Sequence, residues 1–405
     1  MDLSGVQKLE GSDIKRRDRR GSPADRKPVS ELRSTSKITP NLRAAWKDLV
    51  ANASEPNIFH EPWFLEPGLK YFCTDPGQRI FLLWAGEPNH SQLLGLLPLG
   101  PTNRFGRWPV PHIQNWTHHN SFLGTPLVRN ECEEKFWCGL LDHLDRGNWP
   151  GFLHINGLTI GGKLEETMRS ICDSQYRRCD LVAQEARAFL ESDLNPEAYY
   201  NANVRGKKRK ELRRQTSRLK ELGDIQFFER EDANGLDEWI DEFLAVERNG
   251  WKGRNGSALD CQPDTRAFFR DILKGAAANG QLVRHDLRLD DLPIAMLVNF
   301  QSAPGSFSFK TTFDEDYGRF SPGVLLQHKN LNVLKNRDIQ WMDSCAAQGH
   351  PMIDSLWSGR RYVGRFSIEL SGMTRKIMFR GVRLGEGVMA QIRKREAPGG
   401  PKEIA

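Results

Sequence analysis

The residues best suited to chemistry cluster between positions 310 and 324. Ser321-Pro322-Gly323-Val324 opens a segment with Val324, Leu325, Leu326, Leu331, Val333 and Leu334 at helical spacing. Serine is a favoured N-cap and proline is at home in the first helical turn. A helix that starts this way offers free backbone N–H groups, a positive dipole end and, at Gly323, no side chain, so an anion can approach the backbone. Arg319 can add a charge-assisted bond to the same anion. The bland alternative is that Ser-Pro-Gly only starts a helix. A second cationic feature lies at 205–223, a predicted helix with Leu212, Leu219 and Leu222 along one side and Gly223 as its stop. Its other faces carry Lys207, Lys208, Arg213, Arg214, Arg218 and Lys220. They form either a solvated surface or a cradle for a phosphate-bearing or acidic substrate. No nucleic-acid motif or aromatic stacking platform accompanies the charge.

The elements that must position these groups read clearly at 292–334. An apolar run at 293–300, a turn at 303–306 and the alternating Ser306-Phe307-Ser308-Phe309-Lys310-Thr311-Thr312-Phe313 predict a hairpin. The second strand leads through Asp314 and Tyr317 to the anion loop and its helix. Upstream, the pattern predicts a strand at 224–228, helices at 236–248 and 264–278, and a strand at 281–289. Downstream it predicts a strand at 339–345, a short helix at 350–361 and closing strands at 366–370 and 375–379. Residues 41–189 repeat much of this order, from helices at 41–53 and 62–72 to a strand at 152–155 and a helix at 163–174.

Length bounds the organisation. A chain of 405 residues is long enough for two domains, each with its own core. The expected division is a disordered basic arm at 1–39 containing Lys15-Arg16-Arg17-Asp18-Arg19-Arg20, one α/β domain at 40–195, a second at 196–385, and a tail at 386–405. The net charge of +6 is modest, and seven cysteines without a C-x-x-C pair suggest neither a zinc ribbon nor a disulfide framework. No stretch reads as a transmembrane helix or a signal peptide, so a cytoplasmic location and no bound metal are expected.

The element order is similar to that of the GNAT acyltransferase fold, with a three-strand meander feeding a glycine-bearing loop and helix. Three segments resemble the GNAT-like family named for the cellulose-biosynthesis protein CelD, itself related to the FemAB peptidyltransferases, which carry two GNAT-like halves. They are Glu247-Arg248-Asn249-Gly250-Trp251-Lys252-Gly253-Arg254-Asn255-Gly256-Ser257-Ala258-Leu259, Phe309-Lys310 with Asp314-Glu315, and Ser321-Pro322-Gly323-Val324-Leu325-Leu326. The likeness covers roughly 59–379 and is strongest from 201 onward. It implies two tandem GNAT-like domains with mixed sheets flanked by helices, the first of them structural.

The resemblance also implies transfer of an acyl group from acyl-coenzyme A, such as acetyl-CoA, to an amine or hydroxyl of a small molecule or glycan, in polysaccharide or cell-envelope metabolism. The ordinary GNAT pyrophosphate loop is Q/R-x-x-G-x-G/A; here the glycine after Arg319 falls at Gly323, behind a proline, and no second glycine follows. A FemAB-like aminoacyl-tRNA donor is therefore an alternative, and a non-catalytic GNAT-like binding scaffold is another. On the implied fold, Arg319, Ser321, Pro322, Gly323 and Val324 hold the donor. Trp251, Lys252, Arg213, Arg214 and Arg218 meet the substrate. Acyl transfer wants a group to take the acceptor's proton and a donor to the carbonyl oxygen. Glu247, Asp343, Tyr317, Lys310 and Asp314 are the candidates. Each has a structural alternative: a Glu247–Lys252 salt bridge, a turn cap at Asp343, packing of Tyr317, and a Lys310–Asp314 ion pair.

Overall fold

The computed structural model describes residues 27–396, with side chains to 389. The stretch of the expected arm from 1 to 26, including its basic cluster, lies outside the described residues. In chain order the first half runs β1 (Val29–Ser34), α1 (Pro40–Ala51), α2 (Pro62–Phe72), β2 (Arg79–Trp84), β3 (Leu93–Thr102), β4 (His112–Asn115), β5 (Leu127–Val128), α3 (Glu133–Arg146), β6 (Leu153–Thr159), α4 (Lys163–Ser174) and β7 (Cys179–Glu191). The second half runs α5 (Pro196–Asn203), α6 (Gly206–Lys220), β8 (Ile225–Arg230), α7 (Leu236–Asn249), α8 (Trp251–Arg254), α9 (Pro263–Ala278), β9 (Leu282–Leu289), β10 (Leu292–Ser302) and β11 (Gly305–Phe313). It continues with α10 (Pro322–Lys329), β12 (Trp341–Asp343), α11 (Pro351–Asp354), β13 (Gly359–Ile368) and α12 (Met373–Glu396).

All strands join one mixed sheet in the order β1-β2-β3-β4-β6-β13-β7-β12-β11-β10-β9-β8, with β5 on the side of β3. Each half contributes four antiparallel strands that end in a parallel pair, β4 with β6 and β11 with β12. The strand beyond each parallel pair is exchanged. β13, from the end of the chain, lies beside β6, while β7, from the first half, lies beside β12. β7 and β13 also pair with each other from Gly359↔Phe189 to Ile368↔Cys179. The division expected at 195/196 therefore does not separate the strands in space.

Side-chain chemistry explains the layers. α3 buries Phe136, Trp137, Leu140, Leu141 and Leu144 on one face, and α4 adds Leu164, Met168 and Ile171 to the same core over β2, β3 and β6. Between the halves lies an aromatic core in which Phe59 and Phe64 meet Phe243, Phe268, Phe300, Phe307 and Phe309. Phe59 packs edge-on against Phe64, Phe122 and Phe307. Edge-on aromatic pairs of this kind stabilise by about 0.5–1.5 kcal/mol beyond their buried area, which favours a fixed relation between the halves.

Four local expectations are corrected. Residues 29–34 are not part of an unstructured arm; they pair with β2 over six residues. Residues 375–379 are the first turns of α12 rather than a strand, because Phe379 and Val382 bury against Phe152 at helical spacing. The helix expected over 350–361 stops at Asp354, and the chain enters β13 at Gly359. The supposed tail is helical through Glu396.

Candidate active site

The predicted hairpin is present, but its register carries a detail that alternation hides. Val298 pairs with Lys310 and Asn299 with Ser308, which leaves Phe309 as an extra residue on β11. Such a bulge breaks the period of two and re-aims a side chain. Phe307 and Phe309 enter the aromatic core together with Val298, and Lys310, opposite Val298, follows them to that side. Its ammonium lies 5.4 Å from the Phe309 ring centre. Burial, and next Lys252, push the Lys310 ammonium down to about 8, while Glu247 and Cys345 oppose the shift.

Lys310 stands where the parallel pair opens. β11 and β12 are matched only from Gly305↔Trp341 to Phe307↔Asp343. Beyond that point Ser344 N donates to Ala188 O at 3.2 Å and Cys345 turns with φ +52, so β12 leaves β11 and a slot begins at Ser308. Behind the slot a buried polar chain fixes β11. Gln327 Nε2 donates to Ser308 Oγ at 3.2 Å and to Thr311 Oγ1 at 2.9 Å, Asn330 Nδ2 donates to Gln327 Oε1 at 3.1 Å, and Asn299 Nδ2 donates to Asn330 Oδ1 at 2.7 Å. The chain ties β10, β11 and α10 together, although Asn299 Oδ1 at its end has no partner among the described residues.

The corresponding slot in the first half is closed. Asn115 Nδ2 donates to Gly124 O at 3.1 Å and Asn156 O at 2.9 Å, and Asn156 N donates back to Asn115 Oδ1 at 2.8 Å. A Cβ at Gly124 would lie 1.9 Å from Asn156 O, so the chain itself occupies the opening.

Between the two slots lies a cavity of about 670 Å³ lined in part by Ser121, Phe122, Asn156, Arg187, Cys345 and Gly364. The sequence singles out Asp343 as a candidate but not its partner Arg187. The Asp343 carboxylate is fully buried, 3.0 Å from Arg187 Nε and 3.0 Å from Arg361 Nη1, and accepts from Cys345 N at 2.8 Å. It therefore caps the turn that opens the slot and is held by two guanidinium groups, as the structural alternative for Asp343 expects. The signal that was available is an arginine inside the apolar run Ala186-Arg187-Ala188-Phe189-Leu190 and an aspartate inside another strand.

The other candidates are placed as follows. Glu247, 2% exposed, accepts from Lys252 Nζ at 2.8 Å and from Leu259 N at 2.8 Å, so the structural alternative is present. Both residues act electrostatically on Lys310, which brings the Glu247, Lys252 and Lys310 candidates together. Asp314 caps a 3₁₀ turn by accepting from Asp316 N at 3.0 Å, and no ion pair with Lys310 occurs among the described residues. Tyr317 packs against the core under α10. Trp251 is exposed, and its N–H donates to Glu315 Oε1 at 2.6 Å.

The start of α10 differs from the expected anion cradle. Ser321 has φ +53 and makes no side-chain cap; its hydroxyl accepts from Gln215 Nε2 of α6 at 3.0 Å. Pro322, Gly323 and Val324 are buried, and a Cβ at Gly323 would lie 2.8 Å from Met352 Cε. Gly323 thus allows close packing under α11, and a phosphate has no open approach at its α-carbon. The Arg319 guanidinium stacks over Phe320 at 4.7 Å. The cationic groove lies along the flank of α10 instead. It has a volume of about 1170 Å³, and Arg209, Lys210, Arg213, Lys329 and Lys335 line it. Arg214 and Arg218 do not line this groove; both are exposed on other faces of α6.

Residues 206–355 match the model of the acetyltransferase (GNAT) domain family. This matched stretch contains α6, the bulged β11 and the slot, and it supports an acyltransferase. The fold is similar to that of FemX, with a TM-score of 0.55 and 10% identity over 84% of this chain and 96% of that one. It is also similar to a conserved protein of unknown function from Bacteroides thetaiotaomicron, with a TM-score of 0.50 and 11% identity over 85% and 100% of the two chains. No curated protein matches the sequence. At these identities the structural likeness speaks for the fold alone. Among the described residues no cluster suited to a metal ion occurs, and no helix is long and apolar enough to cross a membrane.

Proposed function

We propose that the protein transfers an acyl group from acyl-coenzyme A to an amine or hydroxyl acceptor, with the reaction centred on Lys310 in the slot between β11 and β12. The observation that carries the reading is the bulge at Phe309, which turns a positively charged, half-buried amine toward the opening between β11 and β12. The donor's phosphates lie in the cationic groove beside α10, and its thioester reaches the slot. The acceptor enters from the cavity between the halves. Its nucleophile attacks the thioester carbonyl, and the Lys310 ammonium donates a hydrogen bond to the oxygen as negative charge develops there. That is the kind of stabilisation worth about 10²–10³ in kcat when a single donor is removed. The acceptor's proton passes to water in the cavity, the C–S bond breaks, and the departing thiolate is reprotonated by solvent.

Glu247 and Lys252 position the amine and tune its charge. The first half, whose slot is filled by its own chain, is a structural partner. The departures at Gly323 keep a FemAB-like aminoacyl-tRNA donor as the second reading, since the groove would also suit RNA phosphates. The resemblance to the CelD-type family is the basis for placing the acceptor among glycans or cell-envelope precursors, in the cytoplasm. Calorimetric titration with acetyl-CoA and with aminoacyl-tRNA tests the donor. Saturable acetyl-CoA binding that survives Lys310→Met but is weakened severalfold on reversing Arg213 supports the first reading. Binding of tRNA with no coenzyme A binding overturns it in favour of the second, and binding of neither overturns both.

A further inference from the structure

The cavity between the halves has one feature that the reaction above does not use. Arg187, 2% exposed, donates from Nη1 to Phe122 O at 3.0 Å and lies 3.0 Å from Asp343 through Nε. Nε and Nη2 are both buried without a hydrogen-bond partner among the described residues, so Nε meets Asp343 as an ion pair only and Nη2 meets no acceptor, although the side chain lines the cavity. Asp343 is shared with Arg361, so two guanidinium groups face a single fully buried carboxylate. The remaining nearby carboxylates do not restore the balance at Nη2: Glu55 acts electrostatically on Arg361, and Glu185 is exposed at the cavity rim. A second cation, Arg365, is exposed at the same rim. Arg187 shares its counter-charge with Arg361, and an unsatisfied buried donor is costly unless a ligand supplies the missing acceptor.

We infer that this cavity binds an oxyanion, a carboxylate or a phosphate carried by the acceptor, on Nη2 of Arg187. The amides of Gln114, Asn156 and Gln184 and the hydroxyls of Thr117 and Ser121 surround it, so the body of the ligand is polar rather than lipid-like. The inference deepens the proposed function by giving the acceptor its chemical class, and it rests on that reading only for the word acceptor. The anion site itself stands on the cavity.

The test uses the full-length protein without donor and reads binding by ligand-observed NMR. The probes are N-acetylglycine, its uncharged isostere N-acetylglycinamide, and inorganic phosphate. Binding of at least one anion about tenfold tighter than the amide is expected, the value of one charge-assisted hydrogen bond. Which anion binds assigns the carboxylate or the phosphate class. Arg187→Lys keeps a positive charge beside Asp343 but removes the second nitrogen, and it should abolish the tenfold preference. Ala347→Trp should block the cavity without touching Asp343, and it guards against misreading an unstable Arg187 variant. Equal binding of acid and amide, or an anion preference that survives both substitutions, overturns the inference. Anion binding by a protein that transfers no acyl group would instead overturn the acyl-transfer reading and leave this site standing.

Discussion

Lys252 Nζ lies 2.8 Å from Glu247 Oε1, and the second oxygen of the same carboxylate accepts from Leu259 N, so Glu247 closes the loop around α8 like a clasp. Its charge also favours the protonated form of Lys310. If the Lys310 ammonium is the hydrogen-bond donor, activity is present below about 8 and falls as the amine loses its proton above that value. Glu247→Gln removes the favourable charge, so the alkaline limb of the rate profile should move to lower pH. A pH–rate comparison of the two proteins checks this; an unmoved limb would show that another group is titrating.

Replacing Lys310 by Met should raise thermal stability at neutral pH while lowering kcat by about 10²–10³. The sign follows from linkage. The unfolded chain keeps this proton up to the ordinary 10.5, whereas the folded chain releases it near 8, so between those values stability rises with pH, and below them the buried charge is a liability. Lys310→Met removes that dependence. Melting curves at pH 7 and pH 10, measured beside single-turnover rates, separate the two effects.

Asp343→Asn should destabilise the fold by about 3–5 kcal/mol, because it leaves two buried guanidinium groups facing a neutral amide. Urea unfolding measures it. A catalytic carboxylate would behave differently, with a lower rate and an unchanged midpoint.

Gly323→Ala should destabilise by at most about 1 kcal/mol, because the atom it meets first, Met352 Cε, ends a flexible side chain, and Met352→Ala should remove that cost in the double variant. Simple additivity of the two substitutions would contradict the contact.

The groove beside α10 distinguishes arginines that look equivalent in sequence. Arg213→Glu should weaken donor binding severalfold, with a reduced dependence on salt, whereas Arg214→Glu and Arg218→Glu should act little. Titration at two ionic strengths decides it; equal effects at all three positions would mean diffuse steering rather than a groove.

How much of this was legible in the sequence depends on the range of the interaction. The hairpin at 292–313 declared itself because Phe307, Phe309 and their neighbours alternate locally, and Pro322 announced a helix. The bulge was hidden, since it depends on which residue of β10 each residue of β11 faces, and so the orientation of Lys310 could not be read. β7 went unlisted because Asp180, Gln184, Glu185 and Arg187 interrupt its apolar pattern, although pairing with β12 and β13 makes it a central strand. Residues 375–379 have the composition of a strand, and only Phe152, far away in sequence, makes them a helix with a buried face. Gly323 reads in the sequence as a place for an anion to approach, whereas a Cβ there would lie 2.8 Å from Met352 Cε, a tertiary contact that no local pattern shows.

The exchange of β7 and β13 sets an order of events during synthesis. When residue 195 leaves the ribosome, β6 has no partner on one edge and cannot acquire it until Gly359–Ile368 have been made. An exposed strand edge invites pairing with other chains. A nascent chain halted between these points, or an excised first half, should therefore be a client for chaperones, and the finished protein escapes that hazard only when its last strand slides into the middle of the sheet.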